Sequence, residues 1–365
     1  MHDLCSNFAD RYFRRHEGYN SRGLDRRYVH SQFSMEKVIR GEGDAFFTCC
    51  DFTPCATGVI VGLLSGDVKM YNNKSGDVYT TYRCYPSAVT FLKTSKDGTL
   101  LLTSSISIQP VSTMWNIEKN QFSKKSIFLH QEYVEFSKLN EDTVLGTSGS
   151  AATIYDVETG QSIATFIPLN GNSCTKNRAT FSPCNELILS DGVLWDTRFG
   201  KELHRFNILN QAVSGVFHPN GWEIVSNTAV WDVRTLRLLK TVPELELSTV
   251  TFSPQNVIFG ITHLSEGSKN LSTRFKTFRT LDSYDYSCIK TEYVGRHIFD
   301  LSINKYGTQI ALVENLGVDD WYYESTNVSS LTIDFFSDAP NQTVMLMCNM
   351  TIMTPRNDDD DDDDI

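Results

Sequence analysis

The chain has 365 residues, a pI near 5.2 and a net charge of −11, with 40% apolar and 12% aromatic residues. That is enough apolar chain for one large core. No apolar run reaches membrane-spanning length, the first residues carry no continuous apolar segment of a secretory leader, and the acidic balance argues against nucleic acid as the main partner. The nine cysteines are scattered without metal-ligand spacing, which reads as free thiols in a reducing compartment. The triplets at Asn327, Asn341 and Asn349 then count as chance matches to a glycosylation signal. Seven of the negative charges are the run Asp358 to Asp364, whereas the first 40 residues hold eight Lys/Arg against five Asp/Glu.

In chain order, residues 1–27 read as a basic arm. Leu4, Phe8 and Tyr12 recur at spacing four among Arg11, Arg14 and Arg15, so the arm is either a disordered leader or a short helix that orders on a partner. Residues 28–39 look like an extended strand of the kind that completes the last blade of a propeller. A propeller over 28–345 follows, then a disordered tail over 346–365 that ends in the polyaspartate.

The propeller reading rests on a repeated unit. Phe181-Ser182-Pro183 leads to Trp195-Asp196-Thr197-Arg198, and Phe217-His218-Pro219 leads to Trp231-Asp232-Val233-Arg234. Both steps span 14 residues, and the units start 36 residues apart. A turn, a short apolar strand and an apolar residue before Trp-Asp form the signature of a WD40-type blade, and one blade cannot bury its own faces. Aligning the turn gives seven starts: Phe52, Leu92, Phe136, Phe181, Phe217, Phe252 and Ile303. The partners at the tryptophan place are Tyr71, Trp115, Tyr155, Trp195, Trp231, Phe278 and Tyr322. Each unit carries an apolar run such as VIVGLL, TLLLTS or QIALVE, with period-2 patterning and turn residues such as Ser65-Gly66-Asp67. The expected fold is therefore all-β, a seven-bladed WD40-type propeller. The 14-residue steps demand very tight hairpins, with Asp191-Gly192 and Asn227-Thr228 at the turns. After Tyr323 the pattern decays, although TIDFF and TVMLM could each be a late strand.

Trp115, Tyr155, Trp195 and Trp231 read as structural blade residues. Asp196 and Asp232 stand at strand ends, where a carboxylate can accept backbone N–H bonds and tighten a turn. Arg198 and Arg234 lie two residues on, where neighbouring units have Glu118 and Glu158. Two readings stay open for them: a partner-facing guanidinium fork, or an Asp–Arg pair within the blade that is worth little.

The tandem WDxR boxes, with LDRRYVHSQF (24–33), DGTLLLTS (97–104), YVEFSK (133–138), DGVLWDTR (191–198), SGVFHPNG (214–221) and FKTFRT (275–280), carry a resemblance. The chain resembles the WD40 substrate receptors of cullin-4 ubiquitin ligases and is most similar to the propeller region of the Vpr-binding protein family. That resemblance implies a non-catalytic receptor subunit in nucleus and cytoplasm. Asp196 with Arg198 and Asp232 with Arg234 would dock on the ligase's DNA damage-binding adaptor protein. The arm around Arg11, Arg14, Arg15 and Arg22 would be the helical element that such receptors set against the adaptor. Protein substrates, or viral accessory proteins that redirect the ligase, would use the other face. Such receptors carry a helical region ahead of the propeller, so the chain reads as a fragment, a shortened paralogue or an incomplete gene prediction. The alternative is a propeller scaffold outside any ligase. An enzyme is disfavoured: the eight histidines are dispersed, His218 belongs to a turn, Cys49-Cys50 precede a strand, and no nucleophile elbow, HExxH or phosphate loop is present. No cofactor, metal, membrane or direct nucleic-acid partner is expected.

Overall fold

The computed structural model describes residues 22–40, 46–105, 109–119, 121–169, 177–206, 215–262, 276–315 and 343–349. Among these residues the regular elements are almost all β-strands; the helical elements given bounds are α1 (Arg22–Val29) and a 3-10 turn at Pro243–Leu245.

Six antiparallel sheets, each of four consecutive strands, occupy 47–83, 89–129, 133–166, 180–205, 216–241 and 248–293. The apolar runs found in the sequence are their second strands. In the first blade every residue of Gly58–Leu63 is buried, and in the sixth every residue of Val257–Thr262. A strand covered on both faces loses the alternation of a half-exposed one, which explains why these runs are continuously apolar.

Seven consecutive units were expected, and this is corrected: six are contiguous blades. The strands of the remaining unit, His297–Ile303, Gln309–Asn315 and Thr343–Asn349, form a composite sheet with Ser34–Arg40 from the start of the propeller. Register puts Cys348-Asn349 in the place of Trp195-Asp196, so the third strand lies beyond Tyr322, which falls outside the described residues. In the sixth blade that place belongs to Leu281-Asp282 rather than Phe278, since Ile258 pairs with Leu281 as Ile188 pairs with Trp195. The edge strand also starts later than expected. Residues 22–29 are helical and the strand is Ser34–Arg40, so the boundary drawn after residue 27 falls inside α1.

The composite sheet packs on both of its neighbours. Ala311 and Val313 join Phe52, Val59 and Val61 of the first blade, whereas Ile310 and Leu312 join Val257, Phe259 and Phe278 of the sixth. Alternation along one strand thus serves two interfaces. A buried carboxylate ties the inner strands together. Asp51 accepts from Lys93 Nζ at 2.8 Å, Thr94 N and Oγ1 at 2.9 Å each, and Ser302 Oγ at 2.8 Å. Three sheets meet on one side chain, and each donor satisfies a charge that burial would otherwise penalise. Replacing Asp51 by alanine removes the acceptor of Thr94 N and of Ser302 Oγ and is expected to cost about 3 kcal/mol in urea unfolding.

The aromatic residues before the strand-end Asp/Asn share one job. Trp115 packs on Tyr82 at 5.2 Å between centroids, Tyr155 on Phe128 at 4.7 Å, Trp195 on Phe166 at 5.8 Å and Trp231 on Phe206 at 5.3 Å. Each partner comes from the outer-strand region of the preceding blade, so these rings fill the seams between blades. A β-bulge falls immediately before that residue in all six contiguous blades, against the outer strand. The extra residue sits on the outer strand and bends it beside the residue that fills the seam.

Candidate docking face

In five of the six contiguous blades the third strand ends on an Asn or Asp that begins the turn: Asn72, Asp156, Asp196, Asp232 and Asp282. The short side chain accepts backbone N–H groups two and three residues on. Asn72 Oδ1 accepts from Lys74 and Ser75, Asp196 Oδ1 from Arg198 at 2.8 Å and Phe199 at 3.3 Å, and Asp232 Oδ1 from Arg234 at 2.7 Å and Thr235 at 3.1 Å. These bonds to Thr235 and Arg234 hold the Asp232 carboxyl below the usual aspartate range. Both aspartates of the WDxR boxes therefore build their own turns, and what they expose is set by the residues that follow.

The 14-residue units achieve this with two-residue hairpins. Ser190 pairs with Val193 around Asp191-Gly192, whose φ values of 48° and 72° are those of a type I′ turn. Glycine accepts that φ without strain. Ser226 pairs with Ala229 around Asn227-Thr228, also a two-residue hairpin, in which Asn227 alone has a positive φ, of 50°.

Arg198 and Arg234 point into solvent, each 64% exposed at the side chain. Arg198 Nε stands 3.8 Å from Asp196 and Nη1 3.9 Å from Glu186, and Arg234 Nη2 stands 3.4 Å from Asp232. Contacts that long and that wet hold little energy, so the forks keep most of their donors available. Each guanidinium also lies over an aromatic ring: Arg198 over Phe199 at 5.8 Å and Arg234 over Trp222 at 5.0 Å. Phe199 is 78% exposed and Trp222 55%. Flat cations backed by exposed rings are what a protein partner anchors on. Reading the sequence for WDxR boxes missed Phe199 and Trp222. The available signal was an aromatic in a turn, after Arg198 in one unit and after Gly221 in the other.

The sixth blade continues this face. His218, buried in the fifth-blade turn, donates from Nε2 to the Ser283 carbonyl at 3.2 Å and accepts from Asn220 N at Nδ1. Tyr286 Oη donates to Glu223, next to Trp222, and Lys240 donates to the Asp285 carbonyl. His218 is thus a structural histidine. Burial pushes its pKa below the ordinary 6.5, and the same is true of buried His30. A proton added to either ring costs the folded state, whereas the unfolded chain takes it up freely. The stability from neutral burial is present above pH 6.5 and is lost as pH falls from there toward the lower folded pKa. Stability should decline as pH falls below 6.5, with the His218 ring titrating below the ordinary histidine value in an NMR titration.

On the inner strands, Arg178 lies over Phe91 at 5.9 Å and Tyr133 at 5.2 Å. Cys49 and Cys50 are buried, and desolvation pushes both thiols up, which makes them poor nucleophiles. Among the described residues no cluster of His, Cys, Asp or Glu is arranged to hold a metal ion, and no helix is long and apolar enough to cross a membrane. Arg11, Arg14 and Arg15 lie outside the described residues. Arg22 is the first residue of α1.

The fold and its turns define a WD40-type β-propeller with an exposed arginine-and-aromatic face. No protein-family model matches the chain. It is 43% identical over 313 residues to "Protein mahjong" of Drosophila melanogaster, a match that covers 85% of this chain and 20% of that protein. It is 32% identical to the "DDB1- and CUL4-associated factor homolog 1" of Caenorhabditis elegans and 28% identical to the protein of that name from Arabidopsis thaliana. These matches cover 83% and 84% of this chain, and 18% and 17% of the relatives. The resemblance read from the sequence is borne out: over most of its length the chain is homologous to DDB1- and CUL4-associated factor 1 proteins, the Vpr-binding protein family. It spans about a fifth of their length.

Proposed function

We propose that this chain is the propeller of a substrate receptor that docks on DDB1 in a CUL4 ubiquitin ligase. The observation that carries the reading is the pair of exposed arginines, Arg198 and Arg234, at equivalent turns of adjacent blades, in a chain whose relatives are named for association with DDB1 and CUL4. Asp196 and Asp232 hold the two turns in shape, and the guanidinium forks, backed by Phe199 and Trp222, engage carboxylates or carbonyls of the adaptor. The composite sheet closes the ring as its seventh blade, which makes the platform rigid.

The chemistry then belongs to the rest of the ligase. The receptor raises the rate of ubiquitin transfer by holding a substrate lysine close to the charged conjugating enzyme, a gain in effective concentration. Substrates, or viral accessory proteins, occupy the face away from DDB1. Work in nucleus and cytoplasm fits such a role.

A scaffold outside any ligase would be favoured by arginines locked in internal ion pairs. The 3.4–3.9 Å contacts and the solvent exposure of both side chains weigh against it. Purified chain mixed with purified DDB1 should co-elute in size-exclusion chromatography. Separate elution of a folded chain at micromolar concentrations would overturn the proposal.

A further inference from the structure

The ends of the third strands carry a charge pattern around the ring. Two residues past the strand-end Asn or Asp stand Arg198 in the fourth blade, Arg234 in the fifth and the exposed Lys74 in the first, whose carbonyl takes the Lys37 amine. Acidic residues stand there in the next two blades: Glu118 ends the third strand of the second, and Glu158 is in the turn of the third. The sixth blade has Tyr284, with the cations of α1 beside it. Arg26 is enclosed against Asp282 at 2.6 Å, whereas Arg27 is 35% exposed and 3.4 Å from Asp285. The face is thus cationic in the first, fourth, fifth and sixth blades and acidic in the second and third.

The composite sheet falls in the cationic part. Its third strand, Thr343–Asn349, pairs Asn349 with Gln309 as Asp196 pairs with Leu187. The chain therefore leaves this sheet at the end where the turns of Arg198 and Arg234 begin. The sequence continues for eight residues, 350–357, and then reads Asp358 to Asp364. These positions lie outside the described residues, and their length and charge are what matter.

We propose that the run Asp358–Asp364 lies across the arginine face of its own chain, over Arg234 and Arg198, and competes there with DDB1. The competition rests on the proposed docking, and the contact within the chain does not. Reach allows the contact. The blades from the fourth to the composite sheet pack in that order. Packed sheets stand about 10 Å apart, so the fifth blade is roughly 20 Å from the composite sheet and the fourth roughly 30 Å. The steps from Asn349 to Asp358 span at most about 30 Å, and the run itself adds about 20 Å. Charge selects the direction. Glu118 and Glu158 repel the run, whereas Arg198 and Arg234 offer forks that Asp196, Glu186 and Asp232 engage only at 3.4–3.9 Å. Lys74 is a point charge without a fork, so carboxylates favour the arginines. Single contacts on an exposed surface are weak, but seven carboxylates on a short tether act at high effective concentration.

The test compares the whole chain with a variant in which Asp358 to Asp364 are all replaced by asparagine, a change outside the propeller. The side-chain Nε–Hε resonances of Arg198 and Arg234 are read by NMR in the free chain, and affinity for purified DDB1 by isothermal titration. In low salt both resonances should differ between the two forms, and at about 1 M salt, where the screening length is about 3 Å, they should coincide. The variant should bind DDB1 about tenfold more tightly in low salt, because an internal competitor lowers apparent affinity by the fraction of chains it leaves open. Unchanged arginine resonances would overturn the contact, and so would shifts confined to the amides of Lys74 and Ser75, which would place the run on the first blade. Shifted arginines with equal DDB1 affinity would overturn the competition. If neither form binds DDB1, the competition falls with the functional reading, and the resonances still decide the contact.

Discussion

Alanine at both Arg198 and Arg234 is expected to weaken binding to DDB1 by at least a hundredfold and to leave the urea midpoint unchanged. The two effects separate because the side chains do almost nothing for the fold. Both are mostly in solvent, and their carboxylate contacts at 3.4–3.9 Å are of the kind worth 0–1 kcal/mol. The turns are held by Asp196 and Asp232 through backbone N–H groups, which alanine retains. Arginines at the centre of an interface commonly cost about 2 kcal/mol or more each when truncated, roughly thirtyfold apiece. Lysine at both positions should recover only part of the affinity, since one ammonium cannot reproduce the planar fork or its stacking on Trp222. Isothermal titration with matched circular dichroism spectra is the measurement. Equal affinity of the double variant would leave Arg198 and Arg234 as ordinary surface residues.

The largest loss of stability is expected from Trp115→Ala, about 3–5 kcal/mol by urea unfolding. Trp115 is 1% exposed and fills the seam between the first and second blades against Tyr82. Its Nε1 donates to Thr103 Oγ1 at 2.8 Å, and Tyr85 Oη sits on the same hydroxyl at 2.8 Å. Alanine opens a cavity and breaks a buried chain of hydrogen bonds. Trp115→Phe keeps most of the packing and should lose nearer 1 kcal/mol, the value of the one hydrogen bond. Trp231 occupies the same place in the fifth blade but is only partly buried, and its Nε1 has no hydrogen-bond partner. Its replacement should cost less. A result in which both tryptophans cost the same would mean that seam packing, and not the hydrogen-bond chain, sets the cost.

Blades were legible because their physics is local. A second strand covered on both faces must be continuously apolar, and a strand-end turn must begin with a residue that can cap it. Both show up in short windows, as in VIVGLL and in Trp195-Asp196. The two-residue hairpins were legible too, since 14 residues leave room for nothing longer. Arg198 and Arg234 stand at the second residue of turns capped by Asp196 and Asp232, and both are exposed. Phe278 and Tyr322 were misplaced because an aromatic residue was sought where the seam needs only bulk. Leu281 fills that place in the sixth blade, and in the composite sheet the third strand is Thr343–Asn349, beyond Tyr322.

Order of strands, period and turn chemistry were thus written in neighbouring residues, since each depends on contacts a few positions apart. Pairings between distant segments were not. Ser34–Arg40 closes the last sheet beside a strand some 300 residues away, Asp51 gathers donors from two other sheets, and Arg26 meets Asp282 across 256 residues. No local pattern marks such partners, because a charge or an edge strand carries the same signature wherever its complement lies. Closing the ring is what brings them together.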